Sequence, residues 1–219
     1  MITVDFHCHT AHSKDGLTRL ETLLATCQRK NIDRVVITDH NTIRGALLAR
    51  QMDPGRVIVG EEIMTRAGEL LAIFVSEEVP RGLAPQEAID RLREQGAFIS
   101  VSHPFDALRS GHWDLADLIS ILPQVDAIET FNARCLWPGF NRQALTFARQ
   151  HGLPGTAGSD AHAAFEIGRA TLRLPDFHDP ESLRAAIRQG QQQGGLSHAW
   201  VHLVSTYAKA AKRLQKRWI

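Results

Sequence analysis

Short β-branched segments alternate with amphipathic segments along almost the whole chain, and this alternation restricts the fold more than any other feature. It is typical of strand and helix units whose strands form a parallel sheet. The segments predicted as strands are residues 2–7, 34–38, 57–62, 70–75, 97–102, 127–131, 155–159 and 170–174. Seven or eight such units that close on themselves would form an α/β barrel of the TIM type, with its chemistry at the carboxyl ends of the strands.

Helical periodicity fills most of the intervals between the predicted strands. Residues 17–30 carry an apolar stripe, and Thr18 and Glu21 have the spacing of a capping box. Pro85 suits the first turn of a helix over residues 86–95. Similar signals predict helices over residues 140–151 and 180–189.

The last part of the chain, residues 198–219, combines an apolar stripe at helical spacing with basic residues. The basic residues are Lys209, Lys212, Arg213, Lys216 and Arg217. We expect a C-terminal amphipathic helix that packs on the barrel and keeps its basic face in solvent, with a dimer contact or an anionic membrane surface as alternatives. The predicted domains are therefore a barrel over residues 1–195 and a C-terminal helix over residues 196–219.

Composition excludes several classes of protein. The 219 residues suffice for one domain, and a net charge of +1 gives no global field that would attract nucleic acid. Three cysteines without CxxC spacing favour a reducing compartment, so we expect a cytoplasmic protein. No apolar run approaches the roughly 20 residues of a membrane helix.

Five predicted strands end in an imidazole or a carboxylate. The five motifs are Asp5-Phe-His7-Cys-His9, Thr38-Asp39-His40, Gly60-Glu61-Glu62, Ser102-His103-Pro104 and Ser159-Asp160-Ala161-His162. Ionisable groups gathered at one end of a barrel would repel one another or lose their hydration unless cations neutralised them. The mixture of imidazole and carboxylate suits Zn, Mn or Fe, and more than four ligands implies more than one ion.

In this order, the motifs resemble those of the PHP family, named for polymerase and histidinol phosphatase, over about residues 1–174. Ser13-Lys-Asp15-Gly and Ile128-Glu129 extend the match. The resemblance implies a distorted (βα)7 barrel that holds a trinuclear metal centre through nine side chains. The implied ligands are His7, His9, Asp15, His40, Glu62, Glu69, His103, Asp160 and His162.

The resemblance also implies how these ligands are divided among the ions. His7, His9, Glu62 and Asp160 would hold one ion; Glu62 would reach a second ion, which His103 completes; and Asp15, His40 and His162 would hold a third. Asp15 stands where other members of the family carry His. Glu69 would be the ninth ligand, near the start of the fourth strand, where many relatives have His and a carboxylate can substitute as an oxygen ligand. Among the ligands, Glu62, His103 and Asp160 are the expected catalytic residues.

Phosphate requires cationic groups besides the metals, and the chain has no Lys between Lys30 and Lys209. Arg134, Arg109 and Arg169 are therefore the candidate substrate-binding residues. Asp5 and Asp39 lie within two residues of expected ligands, where they either orient imidazoles or form turns. Glu129 and His12 are candidates for proton relay.

The expected activity is metal-dependent hydrolysis of a phosphate ester, by a metal-activated hydroxide and with two or three divalent ions of Zn, Mn or Fe. The expected substrate is a small phosphomonoester or a nucleotide, and a short oligonucleotide is a further candidate. Two alternatives are a TIM-barrel amidohydrolase and a regulatory or partner-binding PHP module. Binuclear amidohydrolases commonly bridge their metals with a carbamylated Lys in mid-barrel, and this chain has none there. The oligomeric state does not follow from the sequence.

Overall fold

The computed structural model describes the backbone of residues 1–215 and the side chains of residues 1–214. Lys216 and Arg217, which belong to the predicted basic face, lie outside the described residues. Over residues 1–215, no helix combines the length and the apolar character needed to cross a membrane.

The described part of the chain forms one sheet of nine strands in the order β7-β6-β5-β4-β3-β2-β1-β8-β9. The strands are β1 (Ile2–Cys8), β2 (Arg34–Ile37), β3 (Val57–Met64), β4 (Glu69–Ile73), β5 (Phe98–Val101), β6 (Ala127–Asn132), β7 (Gly155–Gly158), β8 (Ala170–Leu174) and β9 (Gln191–Gly194). The eight predicted strands are all present. Strand β9 was not predicted, because Gln191-Gln-Gln-Gly has no apolar pattern and forms an exposed edge that pairs only with β8.

The sheet is mixed, so the expectation of a wholly parallel sheet is wrong. Strand β4 runs antiparallel to both β3 and β5, and β8 runs antiparallel to β1. Only residues 65–68 separate β3 from β4, which is too short for the crossover that a parallel pair requires.

The sheet is nearly closed where the ends of β1 and β7 meet. Cys8 forms a β-bridge with Ala161, the His9 N–H donates to the Ala161 carbonyl at 2.9 Å, and the Asp160 N–H donates to the His7 carbonyl at 2.7 Å. The expected α/β, TIM-like barrel with a C-terminal helix is thereby confirmed.

Seven α-helices lie within residues 1–215. They are α1 (Leu20–Arg29), α2 (Arg44–Met52), α3 (Pro85–Glu94), α4 (Leu115–Ile121), α5 (Pro138–Gln150), α6 (Pro180–Ala186) and α7 (Val201–Gln215). The predicted capping box at Thr18 is wrong: Arg19 is the N-cap of α1 and makes no side-chain cap, while the buried Thr18 hydroxyl has no partner. A capping box does occur at α6, where Asp179 accepts from the Ser182 N–H at 2.7 Å.

Two hydrophobic clusters separate the inside of the barrel from its helical layer. The inner cluster contains Val4, Phe6 and Val36 and is continued by Phe177 and by residues of α6. The outer cluster, which includes Cys8, packs against the helices. A β-bulge between Asp5 and Cys8 shifts the register of β1 against β2. After this extra residue the strand alternation changes phase, so that Cys8 faces the helices and His7 and His9 face the barrel.

Candidate metal centre

All nine expected ligands lie at one rim of the barrel. Most follow the carboxyl ends of parallel strands, and Asp15 lies on the loop after β1. Glu69 is the first residue of β4, and because β4 runs antiparallel, its amino end lies at that same rim. Two of the residues, His103 and Asp160, have positive φ angles of 22° and 50°. Such backbone strain in non-glycine residues is typical of functional sites.

The first group of ligands consists of His7, His9, Glu62 and Asp160, each almost fully buried. The Nε2 atoms of His7 and His9 lie 3.1 Å apart, and each lies 3.3 Å from Glu62 Oε2. Asp160 Oδ1 lies 3.6 Å from His7 Nε2 and 3.2 Å from His9 Nε2. Ligand atoms arranged tetrahedrally at about 2.0–2.2 Å from one ion are about 3.3–3.6 Å apart. The four side chains therefore have the spacing of a single metal site.

The second group surrounds the other oxygen of Glu62. His103 Nε2 lies 3.1 Å from Glu62 Oε1 and 3.6 Å from Glu69 Oε2. The remaining Glu69 oxygen lies 3.5 Å from His40 Nδ1, which is also 3.0 Å from Glu62 Oε2. Glu62 thus lies between the first and second groups, where it could bridge two ions.

The third group combines Asp15 with His40 and His162. Asp15 Oδ2 lies 3.5 Å from His40 Nε2, and Asp15 Oδ1 lies 3.4 Å from His162 Nε2. One nitrogen each of His9, His40 and His162 also falls within 4.8 Å of the other two. The two ring nitrogens of His40 therefore face different groups, so that the cluster is continuous.

The donor set fits divalent metal ions. Asp160 Oδ1 is buried and lies 3.2–3.6 Å from the nitrogens of His7, His9 and His162, yet it makes no hydrogen bond to any residue that the structure describes. His40 Nδ1 is likewise buried without a hydrogen-bond partner despite the nearby Glu62 oxygen. These donor atoms point toward common centres and not along hydrogen bonds, which is the geometry of ligands around a cation.

The carboxylates control the protonation of the cluster. Burial alone would lower the pKa of His7, but the charges of Glu62, Asp160 and Glu129 outweigh it and raise that pKa well above its usual value. His40 behaves alike: its burial is outweighed by Glu62 and Asp15, and its pKa rises to about 9. Burial and the nearby His9 lower the pKa of His162 to about 3. The carboxylates therefore favour the protonated forms of His7 and His40.

Glu129 and Asn132 of β6 hold the first group in position. Glu129 Oε1 lies 3.0 Å from His7 Nδ1, and its Oε2 accepts from the His103 N–H at 2.9 Å. Asn132 Nδ2 donates to Glu129 Oε2 and to Asp160 Oδ2, both at 3.2 Å. Sequence reasoning identified Glu129 only as a candidate relay and did not identify Asn132, whose one signal is its place at the end of a predicted strand.

The hydrogen bonds of Asp5 and Asp39 join segments that are far apart in the chain. Asp5 accepts from the N–H groups of Ser159 and Gly168, both at 2.9 Å. Asp39 accepts from the Thr10 N–H at 2.7 Å and from the Thr10 hydroxyl at 2.6 Å. Both carboxylates thus fix the loops that carry the ligands, and within residues 1–214 no ring nitrogen is hydrogen-bonded to them.

A cavity of about 280 Å³ opens beside the cluster. Four of the expected ligands line it, namely Asp15, His40, Glu69 and His162. Four cations also line it, namely Lys14, Arg109, Arg134 and Lys209. Arg109 donates to Asp160 Oδ2 and, through Nε, to Asp106 Oδ2 at 3.0 Å. Lys209 was not expected here, because it had been assigned to the solvated face of the C-terminal helix.

The structure does not bring Arg169 to this cavity. Its guanidinium donates to the Leu196 carbonyl, and Arg169 is not part of the cavity wall. Arg134 lines the cavity but is buried and already engaged: its Nη2 donates to the Val201 carbonyl at 3.2 Å and to the Ser205 hydroxyl at 3.1 Å, and its Nε lies 3.5 Å from Glu166 Oε2. Of the three arginines, Arg109 and Arg134 lie near the cluster.

Two family models match the chain. The PHP domain matches residues 5–95, and the PHP-associated domain matches residues 138–192. An uncharacterized protein of Methanocaldococcus jannaschii is 36% identical over 178 residues, which are 80% of this chain and 71% of that protein. Each of the nine expected ligands lies within residues 5–162, although only some fall inside the matched PHP domain.

Solved structures share the fold. A two-domain protein of Bacteroides vulgatus that contains a predicted PHP-like metal-dependent phosphoesterase has a TM-score of 0.74 and 22% identity, with 89% of this chain covered. This chain spans 65% of that protein. The lesion-specific endonuclease of Pyrococcus furiosus has a TM-score of 0.56 and 15% identity; 88% of this chain and 57% of the endonuclease are covered. At these identities the likeness concerns the barrel alone.

Proposed function

Since this chain belongs to the PHP family, we propose that it hydrolyses a phosphate ester, either a small phosphomonoester or a nucleotide, at a centre of two or three divalent metal ions. It has the fold of PHP-like metal-dependent phosphoesterases. The observation that carries the proposal is the convergence of nine imidazole and carboxylate side chains at one rim, with facing donor atoms 3.0–3.6 Å apart.

The proposed ligand sets follow the three groups. His7, His9, Glu62 and Asp160 would hold the first ion, and Glu62, Glu69 and His103 would hold the second. Asp15, His40 and His162 would hold the third. Divalent ions bound there would lower the pKa of water toward neutrality and withdraw charge from the phosphoryl oxygens, which is the chemistry that phosphate ester hydrolysis requires.

Residues around the ligands fix which of their atoms are available. Glu129 faces His7 Nδ1 at 3.0 Å, which keeps the ring proton on Nδ1 and leaves the Nε2 lone pair directed into the site. Arg109 and Asn132 both donate to Asp160 Oδ2, which leaves Oδ1 free to bind an ion. Asp160, which with Glu62 and His103 is a proposed catalytic residue, is thus held in a single orientation before substrate binds.

The cavity indicates the size and charge of the substrate. A volume of about 280 Å³ suits a small molecule, and Arg109 and Arg134 in its wall, although both are paired with carboxylates, add positive charge that would attract phosphate oxygens. Because a lesion-specific endonuclease of Pyrococcus furiosus has a similar fold, short nucleic acid is also among the substrates to be tested.

The proposal is tested with a substrate panel on protein reconstituted with Mn or Zn. We expect metal-dependent release of phosphate from phosphomonoesters or nucleotides, loss of turnover after chelation, and recovery when the metal is restored. N-acyl amino acids and cyclic amides test the amidohydrolase alternative. Turnover of amides without turnover of any phosphate ester would contradict the proposal. A metal-loaded protein that turns over neither class would favour the regulatory module.

A further inference from the structure

Helix α7 forms one wall of the cavity. His202, Ser205 and Lys209, which lie along one side of the helix, all line it. The helix is anchored to the barrel near its beginning, where Arg134 donates to the Val201 carbonyl and the Arg134 carbonyl lies 3.0 Å from His202 Nε2. The position of α7 relative to the proposed metal ligands is therefore fixed by hydrogen bonds.

A second anchor lies farther along α7. Lys212 Nζ donates to the carbonyls of Ala11, Ser13 and Gly16 at 2.7, 2.6 and 2.7 Å. These carbonyls belong to the loop that carries Asp15. Of the basic residues predicted to face solvent, Lys209 therefore lines the cavity and Lys212 holds the loop that carries Asp15.

Lys209 differs from the two arginines of the cavity in how its charge is balanced. Arg109 is paired with Asp106 and Asp160, and Arg134 lies beside Glu166 and donates to α7. Lys209 Nζ lies 3.2 Å from Asp15 Oδ2, and 47% of its side chain is exposed. Asp15 is a proposed metal ligand, so an ion bound there would take the carboxylate charge and repel the ammonium. The flexible Lys stem allows Nζ to turn into the cavity.

We propose that Lys209 of α7 is a substrate-binding residue that contacts the phosphoryl oxygens and makes the cavity selective for the dianionic phosphate of a monoester over the monoanionic phosphate of a diester. This inference rests on the proposed phosphoesterase function. A phosphomonoester carries close to two negative charges at neutral pH, because its second pKa is about 6. A diester carries one charge, so a cation additional to the metals and arginines stabilises the bound monoester more.

Calorimetric titration of the metal-loaded full-length protein with inorganic phosphate measures this contact without turnover. We expect Lys209→Met to bind phosphate about ten- to a hundredfold more weakly than the wild type, the loss expected for one charge-assisted contact. Lys209→Arg should retain most of the affinity. Arg213→Met is the matched control, because Arg213 lies on the exposed side of the same helix and does not line the cavity; it should bind as the wild type does.

Measurements of metal content and kinetics distinguish substrate binding by Lys209 from a merely structural role of this residue. Lys209→Met should keep the wild-type number of bound ions, and its ratio of kcat/KM for a monoester to that for a diester should fall. Unchanged phosphate affinity would overturn the proposal, as would a loss of bound metal, which would assign Lys209 to positioning Asp15. A wild-type protein that binds no phosphate would also overturn it. If phosphate binds with the predicted dependence on Lys209 but no ester is hydrolysed, the proposed function fails and the assignment of Lys209 stands.

Discussion

Replacement of Arg134 with Ala tests how the barrel holds its C-terminal helix. The guanidinium is buried and donates to the Val201 carbonyl and to the Ser205 hydroxyl of α7. It also lies beside Glu166, whose carboxylate accepts from the N–H groups of His162 and Ala163. Removal of the side chain would take one hydrogen bond from each of two acceptors on α7 and leave the Glu166 carboxylate without its cation.

The structure allows the size of this effect to be worked out. Burial raises the pKa of Glu166 to about 7 although Arg134 opposes the shift, so the carboxylate can take up a proton when the cation is removed. That proton limits the cost of losing the ion pair. Hydrogen bonds from a charged donor contribute about 1.5–3 kcal/mol, and the total loss should be about 2–4 kcal/mol. In a domain of this size the melting temperature would fall by about 4–16 °C.

Calorimetric melting and hydrogen exchange measure this prediction. Amide exchange over residues 201–215 should become faster in Arg134→Ala, while the core strands should keep their protection. Arg142→Ala is the control: Arg142 is exposed on α5, and its removal should change stability by less than about 0.5 kcal/mol. A melting temperature of Arg134→Ala within about 2 °C of the wild type, with unchanged exchange in α7, would refute the reasoning.

Two further predictions concern the metal ligands. His7→Ala, Glu62→Ala and Asp160→Ala should each lower kcat/KM more than about a hundredfold, because each removes a metal-binding atom from the first group. The controls are His151→Ala and His178→Ala, since both of these histidines are exposed. Wild-type turnover in any of the first three variants would contradict the assignment. Metal affinity should rise with pH up to about 9, by about tenfold per pH unit for each proton displaced, because the raised pKa of His40 means that an ion must expel its proton. Calorimetric titration in buffers of different ionisation enthalpy measures the released protons, and an affinity independent of pH would count against His40 as a ligand.

The sequence predicted the parts of the site that depend on local pattern. Strand ends could be located from apolar runs, and the imidazole or carboxylate that follows each run is read directly from the chain. Glu69 required the family resemblance, because a ligand at the start of a strand reaches the rim only if that strand runs antiparallel, as β4 does. The bulge in β1 left no signal, since it arises from pairing with β2 and not from Asp5-Phe-His7 itself.

The cations around the site depend on contacts between distant parts of the chain, and sequence spacing could not supply them. Arg134 follows a predicted strand, as a phosphate-binding residue would, but its partners are about 70 positions away in α7. Lys209 and Lys212 have the spacing of a solvated helix face and nevertheless contact the Asp15 loop. Amphipathic periodicity indicates which side of a helix is apolar, and it does not show what lies beside the polar side.

The number of metal ions bound per chain tests the central claim most directly. Elemental analysis by plasma mass spectrometry should be made on full-length protein after expression with added Mn or Zn and removal of loosely bound metal. The account predicts two or three ions of Zn, Mn or Fe per chain in the wild type and fewer in Asp160→Ala. Less than about 0.2 ions per chain in the wild type, both as purified and after reconstitution, would contradict the proposed metal centre.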